Sequence, residues 1–91
     1  MYKIEKEILK ESFSEIIKTL EDNDLELVEA NTLEPEHNLD AINLLTFRSF
    51  NSLLETEKNV YDLIKEFEDP YEYATFRVVK IEDLFIVFVY I

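Results

Sequence analysis

The sequence predicts an α+β fold, a two-layer αββαββ domain with a four-stranded antiparallel sheet and two amphipathic helices on one face. Two segments with helical periodicity are each followed by two strand-like segments, which predicts this order. Apolar residues make up 47% of the 91-residue chain, a proportion typical of a folded core and not of an acidic disordered tail. We expect residues 1–91 to form a single domain, because a chain of this length holds one core.

The first helix is expected over residues 3–22. Apolar side chains recur there at helical spacing, while Lys and Glu occupy the other positions. These apolar residues are Ile4, Ile8, Leu9, Phe13, Ile16, Ile17 and Leu20. Asn23 follows, and we expect it to be the left-handed residue that ends the helix, where glycine would be usual.

The next two segments predict strands that pair as a hairpin. Residues 24–33 alternate between apolar and polar and then change parity at Val28, which indicates a strand with a bulge or bend. Pro35 lies in a turn at residues 34–38, because proline cannot continue a hydrogen-bonded ladder. Residues 42–50 also fit one face of a helix, but their β-rich composition favours a strand.

A second helix is expected from Ser52 to about Glu68, before Pro70. Ser52 and Glu55 have the spacing of a capping box, in which each side chain binds the other's backbone amide. Its apolar side is marked by Leu53, Val60, Ile64 and Phe67.

Residues 72–91 are expected to form two strands around a two-residue turn at Glu82 and Asp83. One face of this hairpin is then apolar except for Lys80, through Ala74, Phe76, Val78, Phe85, Val87, Val89 and Ile91. The opposite face is also too apolar for full exposure, so more of the chain or another molecule should cover it. Arg48 and Arg77 lie in apolar strands, and we expect each to pair with a carboxylate on the sheet surface.

Charge is the most informative functional feature of the chain. Its 21 acidic residues outnumber nine Lys and Arg, and the net charge of −12 repels nucleic acids and anionic membranes. No Lys or Arg occurs between Thr19 and Phe47. We expect two acidic clusters to bind a basic partner. The first contains Glu21, Asp22, Asp24, Glu26, Glu29, Glu34, Glu36 and Asp40, and the second, a stripe on the second helix, contains Glu55, Asp62, Glu66 and Asp69.

Missing residue types argue against several kinds of active site. The chain has no Gly, which excludes glycine-rich phosphate loops and nucleophile elbows, and no Cys, which excludes disulfides and thiolate metal sites. His37 is the only histidine, so one chain cannot build a catalytic triad and a two-histidine zinc site together with it is also impossible. We expect no enzymatic activity, cofactor or metal. The charged N-terminus lacks the apolar run of a signal peptide, and no segment has the length of a membrane span, so we expect a cytoplasmic protein.

These observations favour a protein-binding inhibitor that blocks a basic surface of a nucleic-acid-handling protein. Carboxylates at these spacings lie roughly 5–7 Å apart, similar to successive phosphates of a nucleic acid. In composition alone, the chain is similar to small virus-encoded anti-defence proteins such as anti-CRISPR inhibitors and other DNA mimics. Two alternatives remain: an immunity protein or antitoxin for a basic nuclease, and a structural module that forms a homodimer through the apolar sheet face.

Overall fold

The computed structural model describes residues 11, 13–33, 42–67 and 75–90, and these form an α+β fold with a four-stranded antiparallel sheet and two helices. The helices are α1 (Ser14–Glu21) and α2 (Glu57–Ile64), and a 3-10 turn, Lys65–Phe67, follows α2. The strands are β1 (Leu25–Leu33), β2 (Ile42–Ser49), β3 (Thr75–Ile81) and β4 (Leu84–Tyr90). Their order in the sheet is β1-β2-β4-β3, so β1 and β3 are its edges. The predicted class and antiparallel sheet are confirmed.

Helix α1 forms the second half of the predicted first helix, and residues 3–10 lie outside the described part of the chain. Its apolar residues Ile16, Ile17 and Leu20 are buried, as their spacing predicts. The prediction that Asn23 is left-handed was wrong by one residue, since Asp24 has the positive φ of 63°. The side-chain amide of Asn23 instead donates to the carbonyl oxygen of Thr19 over 2.8 Å. Among residues other than glycine, Asp tolerates the left-handed region comparatively well.

The hairpin of β1 and β2 is confirmed, and so is the strand interpretation of residues 42–50 over the helical one. The pairing shifts between Leu27, opposite Phe47, and Glu29, opposite Thr46. Val28 is therefore the extra residue of a β-bulge, as the change of parity predicted. The segment that joins the two strands, with its expected turn at residues 34–38, lies outside the described residues.

Helix α2 begins later than predicted. The expected capping box at Ser52 and Glu55 was wrong, and the box forms between Thr56 and Asn59. Thr56 has extended backbone angles, its hydroxyl accepts from the amide of Asn59, and the Asn59 side chain accepts from the amide of Thr56. The same four-residue spacing thus forms one cap further along the chain, and Leu53 lies outside the helix with 81% of its surface exposed. Val60 and Ile64 are buried as predicted.

The hairpin of β3 and β4 has the predicted two-residue turn, with Ile81 opposite Leu84. Glu82 in this turn has a φ of 56°, a left-handed conformation that usually favours glycine. Lys80 interrupts the apolar face as expected, and its ammonium lies 5.8 Å from the centre of the Phe85 ring. Ala74 and Ile91, also predicted for this face, lie outside the described residues.

A single buried cluster joins both helices to one set of alternating strand positions. Its members are Phe13, Ile16, Ile17 and Leu20 near or in α1, Val60 and Ile64 in α2, and Leu25, Ala30, Leu45, Phe47, Phe76, Phe85, Val87 and Val89 in the strands. Burying one such aliphatic or aromatic side chain contributes roughly 1.5–3 kcal/mol. We call this side of the sheet the core face. A polar pair lies within it, in which the Thr32 hydroxyl donates to Oδ1 of Asn43 over 2.9 Å.

The other side, the outer face, carries the remaining alternate positions of the four strands. From β1 to β3, its central two rows read Glu29, Thr46, Ile86, Val79 and then Asn31, Leu44, Phe88, Arg77. The flanking rows are Glu26, Arg48, Leu84, Ile81 and Leu33, Ile42, Tyr90, Thr75. None of these side chains is fully buried, in contrast to their neighbours on the core face. Within the part of the chain that the structure describes, no helix is long and apolar enough to cross a membrane.

Candidate functional site

Five of the predicted acidic residues line one edge of the described structure. Glu21 ends α1, Asp22 and Asp24 lie in the turn after it, and Glu26 and Glu29 lie on the edge strand β1. All five side chains are exposed, and no Lys or Arg of the described residues lies within ion-pair distance of them. We call this set the acidic edge. Its charge is available to a partner because no neighbouring cation offsets it.

The bulge at Val28 decides where Glu26 and Glu29 point. Residues three apart in a regular strand face opposite sides of a sheet. Here Glu26 pairs with Arg48 and Glu29 with Thr46, two positions of β2 that share the outer face. Both carboxylates therefore lie on the same face, roughly 7 Å apart along the strand direction.

Three connections meet at the end of the sheet beside the acidic edge. The amide of Phe50 donates to the carbonyl oxygen of Asp24 over 2.8 Å, which joins the β2–α2 loop to the α1–β1 turn. The amide of Ser49 donates to the carbonyl oxygen of Asp83 over 3.4 Å, which joins the same loop to the β3–β4 turn. Asn51 adds a 3.5 Å bond from its side-chain amide to the carbonyl oxygen of Asn23. We call this region the loop end.

Two large apolar side chains are exposed at the loop end, Phe50 at 66% and Leu53 at 81%. Leu53 is held by a bond of 2.9 Å from its amide to the side-chain oxygen of Asn51. An open groove of about 460 Å³ lies beside them, between the β2–α2 loop and the β3–β4 turn. Glu55, Glu82 and Asp83 are among its lining residues, together with Lys80. The loop end therefore combines apolar contact area with an excess of negative charge.

Glu82 and Asp83 were predicted only as a turn, so the sequence interpretation missed them as members of an acidic surface. The signal was present, because an acidic two-residue turn between paired strands must project at one end of the sheet. Asp83 also lies 3.6 Å from Nε of Arg48, which confirms the predicted ion pair of that arginine. Arg77 has no carboxylate of the described residues within ion-pair distance, contrary to the prediction for it.

The second predicted cluster does not form one helical stripe. Glu55 precedes the helix and lies at the loop end, whereas Asp62 is in α2 and Glu66 is in the 3-10 turn. The prediction was wrong because the helix begins after Thr56. Asp62 has Lys58 at 3.9 Å and Lys65 at 4.0 Å, so its charge is offset locally, unlike that of the acidic edge.

Four of the predicted partner-binding residues, Glu34, Glu36, Asp40 and Asp69, lie outside the described residues, as does His37. Within the described ranges, no three acidic or histidine side chains are close enough together to hold a metal ion.

Comparison of the chain with protein-family models, with curated proteins and with solved structures finds no significant match. The functional argument therefore rests on the geometry of the acidic edge and the loop end.

Proposed function

We propose that this protein is a small acidic inhibitor, without enzymatic activity of its own, that binds a basic, nucleic-acid-binding surface of another protein. The observation that carries the proposal is the acidic edge, whose five exposed carboxylates have no described cation within ion-pair distance. A basic partner would supply the missing counter-charge. The remaining predicted acidic residues would extend this surface.

The proposal includes the finer architecture, a two-layer αββαββ domain with both helices against the core face. The shared burial of Leu20, Val60 and Phe47 in one cluster supports it. In this arrangement the helices hold the sheet from one side, and the loop end and acidic edge project from its margin. The binding surface then belongs to a rigid element, which limits the entropy lost on association.

Electrostatics supports a partner that normally binds nucleic acid. Glu26 and Glu29 point to one side at a spacing of roughly 7 Å, close to that of phosphates along an extended strand. Such carboxylates can occupy an Arg- and Lys-lined channel and displace its bound counterions, as nucleic acid does. A like-charged nucleic acid itself is repelled by the net charge of −12.

Phe50 and Leu53 add the apolar contacts that charge alone does not provide. Interfaces gain most of their affinity from a few well-packed side chains, and exposed charges chiefly give steering and specificity. The 2.8 Å bond between Phe50 and Asp24 keeps the ring next to the acidic edge. A fitting partner therefore has a basic surface with an apolar depression beside it.

The test uses immobilised protein and a lysate of its source organism, with retained proteins identified by mass spectrometry. The wild type is expected to retain proteins that double-stranded DNA and added salt both displace, because DNA competes for the same basic surface. An edge variant, Glu21→Gln/Asp22→Asn/Glu26→Gln, should lose them. These changes leave Glu29 and the apolar residues in place.

A matched control variant, Glu11→Gln/Glu15→Gln/Glu57→Gln, removes three exposed carboxylates away from the acidic edge. Removal of three carboxylates takes the net charge from −12 to −9 in both variants. The control should still retain the proteins that the edge variant loses. Equal retention by both variants, or retention that DNA does not reduce, would contradict the proposal.

A further inference from the structure

The outer face of the sheet carries a continuous apolar area with no partner among the described residues. Its centre is formed by Leu44 on β2, Ile86 and Phe88 on β4, and Val79 on β3, all partly exposed. Seven residues on each of four strands give a face of roughly 20 × 24 Å, or about 480 Å². Apolar patches of this size on folded proteins are commonly interaction sites.

We propose that this face binds the same face of a second copy of the chain, and that the two copies are related by a two-fold axis parallel to the strands. Two sheets of this kind stack about 10 Å apart with their inner side chains interdigitated. Such a contact is isologous, so every pairing across it occurs twice.

The charges on the outer face select this orientation. Glu26 and Glu29 lie on one edge strand, β1, and Arg77 lies on the other, β3. An axis parallel to the strands places β1 of each copy over β3 of the other. Glu29 then lies one row from Arg77 of the second copy, roughly 7 Å along the strand direction, a distance that the two side chains can span. Each arginine, which lacks a described carboxylate partner in its own chain, would thereby gain one.

The other face-to-face arrangement has its two-fold axis perpendicular to the strands. It would place β1 over β1, which brings four carboxylates together, and β3 over β3, which brings the two Arg77 side chains together. Like charges across an interface cost several kcal/mol, so this orientation is disfavoured.

The size of the contact sets the expected affinity. A stable complex commonly buries about 800 Å² on each partner, and this face is smaller. Two chains with a net charge of −12 also repel one another. We therefore expect a dimer with a dissociation constant of tens to hundreds of micromolar, populated at high protein concentration.

Sedimentation equilibrium from about 5 to 1,000 µM tests this inference without any partner protein, with expected values in the range typical of small interfaces. The wild type is expected to move from monomer to dimer over this range. Arg77→Glu should weaken dimerisation at least tenfold, and Glu29→Arg should weaken it similarly. The double variant Glu29→Arg/Arg77→Glu should recover most of the affinity, because it exchanges the two charges and restores the pairing.

Lys58→Glu is the matched control for Arg77→Glu, since it makes the same charge change on α2, away from the outer face. Circular dichroism confirms the folding of each variant, and Arg77→Gln replaces Arg77→Glu if the latter unfolds. A wild type that stays monomeric throughout, an Arg77 variant that dimerises like the Lys58 variant, or a double variant that is no better than the single ones would overturn the inference. The acidic-edge variant used to test partner binding keeps Glu29 and Arg77, so the two proposals fail independently.

Discussion

The main-chain amide of Phe50 donates a 2.8 Å hydrogen bond to the carbonyl oxygen of Asp24. This bond joins two connections that lie far apart in the sequence, and it places an exposed aromatic ring beside the acidic edge. The relationship makes the loop end a single surface with both apolar and acidic character.

Replacement of the two exposed apolar residues, Phe50→Ser/Leu53→Ser, should reduce affinity for the retained partner at least tenfold, since buried interface anchors commonly contribute about 2 kcal/mol or more. Folding stability should change by only about 0.5 kcal/mol, because neither side chain is buried in the free protein. Isothermal titration and urea unfolding measure the two quantities. Leu33→Ser is the control, since Leu33 is 51% exposed at the opposite end of β1. An equal loss of affinity in the control would argue against a role for the loop end.

Glycine at the left-handed position of the α1–β1 turn should stabilise the protein. Asp24 has a φ of 63°, so Asp24→Gly relieves a steric cost and should raise the free energy of unfolding by about 0.5–1 kcal/mol. Asp22→Gly is an equivalent change of side chain and charge at a φ of −66°, and it should lower stability by up to about 1 kcal/mol. Thermal unfolding of both variants measures the difference, and a shift of the same sign in both would contradict it.

Two adjacent leucines on β2 should respond differently to truncation. Leu45 is fully buried on the core face, and Leu45→Ala should lower the free energy of unfolding by about 2–5 kcal/mol. Leu44 is partly exposed on the outer face, so Leu44→Ala should cost much less in dilute solution but weaken the dimer. Urea unfolding at low concentration and sedimentation at high concentration check both effects. Similar destabilisation by the two changes would argue that the outer face is also part of the core.

Added salt should have opposite effects on the two proposed interactions. Partner binding should weaken from 50 to 500 mM NaCl, because salt screens attraction between opposite charges and reduces counterion release. Dimerisation should strengthen over the same range, since salt screens repulsion between two chains of net charge −12. Titrations of each interaction at several salt concentrations measure the slopes. A dimer that dissociates as salt rises would indicate that ion pairs, and not apolar contacts, dominate that interface.

The sequence by itself determined the α+β class, the two antiparallel hairpins, the bulge after Leu27 and the turn at Glu82 and Asp83. These features follow from periodicity and turn chemistry, which act between residues close together in the chain. The buried sides of α1, α2 and β4 were predictable for the same reason, because alternating or helical spacing assigns each side chain to a face.

Only the tertiary structure decided where α2 begins, which residue of the α1–β1 turn is left-handed, and which acidic residues share a surface. Two neighbouring segments could each have formed a capping box, and the backbone angles at Thr56 selected the second. Asp24, Phe50 and Asp83 come together through hydrogen bonds between connections that are distant in sequence. Such long-range contacts leave no local period in the sequence, so the loop end emerged only once the sheet had brought its three connections side by side.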